Sequence, residues 1–230
     1  MQNPSYNNLN QILNQAIELL DLTSKINQTQ IQNLIEYIKI LQKWNKVYNL
    51  TAITKEYDIL IKHIIDCLAV LSHLYQKTQL KNINSNCIKI LDVGSGAGLP
   101  AIIWAIANPA WKIYSIDAVQ KKISFQQQTK LELKLDNLFP HHIRIQDLKN
   151  EKFNIITARA YANTNDIIQQ TLELLDNNGF FALLKGKDSD EFNLDKNVFN
   201  INKINIQPPF LEAERHLVII ELNKKYNIDN

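Results

Sequence analysis

Apolar residues in the first third of the chain recur every three or four positions, which is the spacing of one face of an α-helix. This pattern covers residues 9–20 and 31–41, and it predicts a third helix over 58–73. The following residues 77–86 are polar and lack clear periodicity, so we expect them to form a connection. Residues 1–80 are therefore predicted to be a helical extension that packs on the rest of the protein.

From residue 81 to 230 the pattern changes, because short apolar runs alternate with segments of helical periodicity. The runs typical of strands are 88–93, 111–117, 143–145, 153–157, 179–185, 201–206 and 217–222. The helical segments are 99–107, 119–134 and 166–175. This alternation predicts an α/β domain with a seven-stranded, mostly parallel sheet and helices on both faces. The last two strands lack a long helix between them, so one of them is expected to run antiparallel.

Composition narrows the class of protein only coarsely. The 230 residues are 45% hydrophobic and 21% charged, with a formal net charge of +2. These values suit a globular domain with an appendage, and they exclude a uniformly basic nucleic-acid coat. No apolar run approaches the roughly 20 residues of a membrane span. The N-terminus also lacks the basic-then-apolar order of a signal peptide, so we expect a cytoplasmic protein without a membrane partner.

Cysteine and histidine usage argues against a metal centre. Two cysteines, Cys67 and Cys87, exclude a disulfide-rich scaffold, and their separation does not match zinc-ligand spacing. The pair His141 and His142 has no further ligands at metal-binding spacing. No metal site is therefore predicted.

A glycine-rich turn follows the first predicted strand, where Gly94, Gly96 and Gly98 lie in the sequence DVGSGAG. Ligands of open α/β sheets bind beyond the carboxyl ends of the strands, which is where this turn falls. The G-x-G-x-G spacing differs from the G-x-G-x-x-G fingerprint of dinucleotide-binding proteins. The preceding Asp92 would repel a pyrophosphate, but it suits a cationic sulfonium ligand that carries an amino group.

A second carboxylate, Asp117, ends the next predicted strand, where it could accept hydrogen bonds from both hydroxyls of a ribose. An alternative interpretation is that Asp92 and Asp117 only cap neighbouring helices. Together with the glycine spacing, the two acids favour S-adenosyl-L-methionine as cofactor and a methyltransferase as the activity. A nicotinamide-dependent oxidoreductase remains the alternative from a different class.

The sequence around the expected active site bears on the methyl acceptor. Enzymes that methylate exocyclic amines usually carry an Asn/Asp-Pro-Pro-aromatic loop after the fourth strand, whereas residues 157–161 here read TARAY. The PPF triplet at 208–210 lies too late in the chain. Methylation of pyrimidine carbon 5 needs a nucleophilic cysteine, and neither cysteine is well placed. A ring nitrogen with a free lone pair, such as guanine N7, needs neither device.

Several blocks resemble one family. Residues 44–53, WNKVYNLTAI, are similar to the W-N-x-x-x-N-L-T-x-I signature of the RsmG family, also called glucose-inhibited division protein B. The resemblance continues through 63–68, 91–100, 117–122, 157–160, 185–186 and 215–218, in family order. This sequence departs from the family pattern at Cys67, where serine is usual, and at Ala118 and Val119. The family comprises bacterial small-subunit rRNA methyltransferases that act on guanine N7.

The resemblance implies a Rossmann-like class I methyltransferase fold that binds S-adenosyl-L-methionine. The cofactor-binding residues that it implies are Gly94, Leu99, Gln146, Asp147 and Arg159. The glycine loop and the second strand add Gly96, Gly98 and Asp117. It implies the decoding-region loop of 16S rRNA as substrate, in the small subunit or its precursor, and we expect a monomer. No residue is identified as a general base. Methylation of another RNA and a non-catalytic role in ribosome assembly remain alternatives.

Candidate substrate residues lie outside the glycine loop. Asn45 and Asn49 could bind the RNA, or they could cap and turn the end of the second helix. Basic residues expected on or near the cofactor side could form a rim that contacts phosphates, or they could be plain solvated surface. These residues are Lys121, Lys122, Lys185, Lys187, Arg215 and His216. Asp66 is three residues from His63 and four from Lys62, and a structural pair on one helix face is the favoured interpretation.

Overall fold

Seven strands form one sheet in the computed structural model, which describes residues 6–84, 87–159, 163–186 and 194–223. The strands are β1 (Lys89–Val93), β2 (Lys112–Asp117), β3 (Leu138–His142), β4 (Phe153–Arg159), β5 (Leu175–Lys185), β6 (Phe199–Ile206) and β7 (Arg215–Leu222). Their order across the sheet is β3-β2-β1-β4-β5-β7-β6. Strands β1 to β5 pair in parallel, and β7 runs antiparallel to both of its neighbours. The predicted mixed, mostly parallel sheet is therefore confirmed.

Eight α-helices surround this sheet in the described part of the chain. They are α1 (Tyr6–Leu19), α2 (Gln28–Tyr48), α3 (Glu56–Ile59), α4 (Asp66–Leu68), α5 (Leu71–Leu80), α6 (Ala101–Ala107), α7 (Gln120–Leu133) and α8 (Thr164–Thr171). Because side chains alternate along a strand, Ile90 joins a hydrophobic cluster with α6 and α7, whereas Leu91 joins a second cluster with α8. The two clusters cover opposite faces of the sheet, as predicted.

The N-terminal helices share the first of these clusters with the sheet. Helix α2 lies on α7, where the ring of Phe125 is 6.2 Å from that of Tyr37 and 5.8 Å from that of Trp44. The buried Gln30 side chain donates to the carbonyls of Ile106 and Ala107 at 2.8 and 3.0 Å, which satisfies acceptors at the end of α6. The helical segment and the α/β segment are thus joined through one continuous core.

Three predicted elements differ from the structure. The helix predicted over 58–73 is interrupted, because α3 passes through a π-helical turn at Leu60–Ile65 into the short α4. Helix α5 then continues to residue 80, into the predicted connection. The strand predicted at 143–145 is wrong, since β3 lies earlier in the chain.

The reason for the β3 error is that β3 is an edge strand. It pairs only with β2, and its burial decreases from a buried Leu138 to exposed histidines. An edge strand needs few apolar residues and tolerates a proline such as Pro140, so its sequence carries little of the expected strand pattern. The apolar residues that suggested a strand here belong partly to a 3₁₀ turn at Ile145–Asp147.

Across residues 6–84, 87–159, 163–186 and 194–223, none of the helices is long and apolar enough to cross a membrane. The same part of the chain contains no group of three or more histidine, cysteine, aspartate or glutamate side chains arranged to hold a metal ion.

Candidate active site

The strand order reverses direction at β1. After β3 the chain returns to the other side of β1 to form β4, so the connections diverge at the carboxyl ends of these two strands. The turn at residues 94–98 leaves β1 at this point, beside a cleft of about 690 Å³. The cleft is lined by Gly94, Asp117, Lys122 and Gln146 among others. Its size is within the range of sites that enclose a nucleotide-sized ligand.

The glycines of this turn have backbone conformations that other residues adopt only at a cost. Gly94, Gly96 and Gly98 have φ angles of +67°, +57° and +73°. A Cβ atom on Gly98 would lie 2.5 Å from Cγ1 of Ile102, so the third glycine also lets the turn pack against α6. A Cβ atom on Gly96 would have its nearest neighbour at 3.9 Å. Leu99 is buried behind the turn, and Pro100 immediately precedes α6.

Buried polar side chains hold the turn in place. The amide nitrogen of Gln126 on α7 donates to Ser95 Oγ at 2.8 Å and to the carbonyl of Gly96 at 2.9 Å. Its amide oxygen accepts from Ser115 Oγ at 2.6 Å. Tyr37 of α2 donates to the carbonyl of Ala97 at 2.8 Å. Sequence reasoning missed Gln126 and Tyr37, because neither belongs to a motif and their partners lie on other elements.

Asp117 connects the turn to the start of α7. Its Oδ2 accepts from the backbone nitrogen of Gly96 at 3.0 Å and pairs with Lys122 Nζ at 3.3 Å. Its Oδ1 accepts from the backbone nitrogen of Val119 at 2.9 Å. Asp117 therefore accepts a hydrogen bond at the start of α7 and also lines the cleft. A structural role at the helix start is thus compatible with the predicted role in binding a ribose.

Asp92 is completely buried behind the turn. Its Oδ2 accepts from the first backbone nitrogen of α6, that of Ala101, at 3.0 Å, which is a capping role. Its Oδ1 has no hydrogen-bond partner within the described structure. Burial raises the pKa of this carboxyl to about 7, although the bond from Ala101 and the charge of Arg159 oppose the shift. The unpartnered oxygen is able to accept one more hydrogen bond at this end of β1.

The two residues predicted to frame an adenine follow β3. Gln146 lines the cleft, and its amide donates to Gln170 of α8 at 3.3 Å. Asp147 lies beside it in the same 3₁₀ turn with an exposed side chain. The structure therefore brings Gln146 to the same cleft as Gly94 and Asp117, whereas Asp147 is not among the residues that line it.

Arg159 ends β4 and points towards the N-terminal helices. Its Nη2 donates to the carbonyl of Lys62 at 2.7 Å and lies 3.1 Å from Asp66 Oδ2. The same nitrogen is 3.3 Å from His63 Nδ1. Because a guanidinium can only donate, a hydrogen bond here requires a neutral His63, and burial together with the charge of Arg159 lowers the pKa of His63 to about 4.

A second cavity, of about 230 Å³, lies beside Arg159 at the carboxyl ends of β4 and β5. It is lined by Asp66, Val70, Arg159, Leu184, Lys185, Gly186, Ile206, Arg215 and His216. We call it the basic cavity. Of the predicted rim residues, Lys185, Arg215 and His216 thus come together. Lys122 lines the cleft instead, and Lys121 precedes it on α7. Lys187 and Ala160 lie outside the described residues. Arg159 lines this cavity, and it is not among the residues that line the cleft.

Asn45 and Asn49 occupy different environments at the end of α2. The buried Asn45 amide donates to the carbonyl of Thr51 at 2.9 Å and accepts from its backbone nitrogen at 2.8 Å, so it closes the turn after the helix. Asn49 is exposed and adopts the left-handed conformation at the helix C-cap. Thr51 Oγ1 lies 2.9 Å from His63 Nε2, which links this turn to Arg159.

The helix face predicted to pair Lys62 with Asp66 is arranged differently. Lys62 pairs with Asp58 at 2.8 Å, and Asp66 instead contacts Arg159 and Arg215. The π-helical turn between Asp58 and Asp66 changes the direction of the side chains, which regular helical spacing does not predict. This part of the sequence prediction is wrong.

Comparison with known proteins agrees with this geometry. A model of the GidB family, described as rRNA small subunit methyltransferase G, matches residues 30–218. The protein of that name from Leptothrix cholodnii is 37% identical over 84% of this chain and 87% of its own length. That from Francisella philomiragia is also 37% identical, over 88% of this chain and 93% of its own length.

Among solved structures, magnesium protoporphyrin IX methyltransferase from Synechocystis PCC 6803, determined with bound S-adenosylmethionine, is similar with a TM-score of 0.54. The match covers 80% of this chain and 97% of that one at 14% identity, and it confirms the predicted Rossmann-like methyltransferase fold. Taken with the family match over most of its length, these findings show that the chain belongs to the rRNA small subunit methyltransferase G family.

Proposed function

We propose that this protein transfers a methyl group from S-adenosyl-L-methionine to guanine N7 of the small-subunit rRNA, in the decoding-region loop. The proposal rests mainly on two cavities that both lie at the carboxyl ends of the parallel strands. A nucleotide-sized cleft lies beside the glycine turn, and the basic cavity lies at the ends of β4 and β5. The names of the similar proteins, rRNA small subunit methyltransferases, support the same acceptor.

The residues around the cleft fit the cofactor. Gly94 brings bare backbone to its wall, and Asp117 and Gln146 offer polar side chains there. The unpartnered oxygen of the buried Asp92 has acceptor capacity for a donor at the end of β1. When bound, the cofactor would supply a methyl group activated by a sulfonium charge. The carboxylate of Asp117 favours such a positive charge.

Neither cysteine is suited to act as a nucleophile. Cys67 is fully buried, and burial raises the pKa of its thiol to about 12. Cys87 is exposed, but it precedes the amino end of β1, whereas the glycine turn follows the carboxyl end of that strand. A pyrimidine carbon, which needs covalent activation by a thiolate, is thus a poor acceptor for this site.

Guanine N7 makes modest chemical demands on the protein. Its lone pair can attack a methyl carbon directly, and the N7-methylated base is a cation from which no proton must leave. The protein's task is therefore to align the base and exclude water rather than to provide a general base. Arg159, Lys185 and Arg215 are the cationic groups that would hold the RNA backbone beside it.

Labelled methyl transfer tests this function. Purified protein and labelled S-adenosyl-L-methionine would be incubated with small subunits from a bacterial strain that lacks the family enzyme, and the modified nucleotide would be mapped. We expect one labelled 7-methylguanine in the decoding-region loop of 16S rRNA, and no label in subunits from the parent strain. Label confined to protein, to another RNA or to another base would contradict the proposal.

Replacement of Asp117 by asparagine provides a variant of the cleft, and we expect weaker cofactor binding by calorimetry. The same preparation would be compared on naked rRNA, on precursor particles and on finished subunits, to identify the form of the substrate. We further propose that the enzyme acts as a cytoplasmic monomer. A protomer-sized peak in size-exclusion chromatography with light scattering would support the monomer.

A further inference from the structure

We propose that Asp66 is a positioning residue for RNA binding, which holds Arg159 and Arg215 in the geometry that receives an RNA phosphate in the basic cavity. This inference rests on the proposed function, since it assumes that the ligand of the cavity is RNA. Asp66 would act through the two arginines rather than by contact with the RNA.

The geometry at Asp66 is a carboxylate shared by two guanidinium groups. Its Oδ2 lies 3.1 Å from Arg159 Nη2, and its Oδ1 accepts from Arg215 Nε at 2.8 Å. The Asp66 side chain is only 5% exposed, compared with 18% for Arg159 and 26% for Arg215. Each oxygen thus serves one arginine, and the carboxylate is screened from water at the floor of the cavity.

The two arginines come from separate parts of the sheet. Arg159 ends β4 and Arg215 begins β7, and these strands lie on opposite sides of β5. Two guanidinium groups beside one cavity repel each other unless an anion lies between them. Asp66 supplies that anion from α4, so it ties the helical segment to both strands. Arg215 also donates from Nη1 to the carbonyl of Glu214 at 2.9 Å.

The charge balance leaves the cavity suited to an anion. Arg159 and Arg215 contribute two positive charges, and Asp66 offsets one of them. A phosphodiester brings one negative charge and acceptor oxygens that match an arginine fork. The nucleotide next to the acceptor guanine is the chemical class of ligand that this arrangement favours.

The sign of one substitution separates positioning from simple charge. Removing a negative charge beside a phosphate site should strengthen RNA binding if Asp66 only adds to the local field. If Asp66 positions the arginines, Asp66→Asn should weaken RNA binding even though the cavity becomes more positive. The matched control is Asp58→Asn, which removes a carboxylate from the same helical segment. Within the described part of the chain, Asp58 pairs with Lys62 and with neither arginine.

The experiment compares the full-length wild type, Asp66→Asn and Asp58→Asn for affinity to a 16S rRNA fragment containing the decoding loop, by filter binding at fixed salt. We expect Asp66→Asn to bind RNA about ten-fold more weakly and Asp58→Asn to bind as the wild type does or more tightly. In methyl transfer, Asp66→Asn should raise KM for the RNA more than it lowers kcat. Its far-ultraviolet circular dichroism spectrum should match that of the wild type, because the substitution keeps the size and shape of the side chain.

A second variant protects the test if Asp66→Asn fails to fold. Arg215→Lys retains the positive charge but removes the Nε donor. If Asp66 positions Arg215, this variant should bind RNA more weakly, whereas a role of charge alone predicts unchanged RNA binding. Unchanged or tighter RNA binding by Asp66→Asn, or by Arg215→Lys where that variant is used, would overturn the inference. Wild-type protein that binds RNA but does not methylate it would refute the proposed function alone, because the binding comparison still judges Asp66.

Discussion

Replacement of Gly98 by alanine should destabilise the protein more than replacement of Gly96, although both residues have positive φ angles. An alanine at +57° or +73° costs about 1 kcal/mol of backbone strain. The Cβ atom of an alanine at 98 would also lie 2.5 Å from Cγ1 of Ile102 and 3.4 Å from Cγ of Gln126, whereas at 96 the nearest atom is at 3.9 Å. Overpacking of this kind adds about 1–3 kcal/mol. We therefore expect losses of about 1 kcal/mol for Gly96→Ala and about 2–4 kcal/mol for Gly98→Ala.

Urea denaturation followed by circular dichroism measures this difference. With a slope of about 3 kcal/mol per molar urea, an extra loss of about 2 kcal/mol moves the midpoint by about 0.7 M. Both variants should weaken cofactor binding, since both change the turn beside the cleft. Equal midpoints for the two variants would refute the packing argument, and a more stable Gly98→Ala would refute the assigned backbone conformation as well.

Three further predictions concern buried groups. Gln126→Leu should lower the free energy of unfolding by about 3 kcal/mol, because it leaves the buried partners Ser95 and Ser115 unsatisfied. The exposed control Gln128→Leu should change it by less than about 0.5 kcal/mol, and similar urea midpoints for the two variants would contradict the stabilising role of Gln126. Iodoacetamide at pH 8 should alkylate only Cys87 of the folded protein, because burial raises the pKa of Cys67 to about 12, and mass spectra showing two modified thiols under native conditions would contradict this. Burial and Arg159 lower the pKa of His63 to about 4, so between pH 6.5 and 4 the unfolded chain binds a proton at this residue that the native protein does not. The free energy of unfolding of the wild type should therefore decrease as the pH falls through that window, by up to about 3 kcal/mol more than that of His63→Asn. The raised pKa of Asp92 has the opposite effect, because it makes stability fall as the pH rises from about 4 to 7, and this effect cancels when the two proteins are compared by urea denaturation. Parallel plots of unfolding free energy against pH for the two proteins would refute the lowered pKa of His63.

Much of the fold and the cofactor side of the site could be predicted from the sequence. Strand and helix periodicities are local, so the alternation after residue 87 predicted the parallel sheet, and the absence of a crossover helix predicted the antiparallel strand. Carboxyl ends of parallel strands meet at one edge, so the glycine turn and Asp117 could be placed together from sequence. The same reasoning failed at β3, because an edge strand is exposed and its apolar pattern is weak.

The interactions around the basic cavity depended on the tertiary structure. Asp66 was expected to pair along its own helix, yet it contacts Arg215, which is 149 residues away, and Arg159 at the end of β4. A π-helical turn changes the direction of that helix face, and no local pattern in the sequence marks the turn. The sequence by itself therefore determined the elements and the glycine turn, because hydrophobic periodicity and backbone freedom are local properties. Only the tertiary structure decided which charged side chains meet, because ion pairs between distant segments follow from how the helices pack on the sheet.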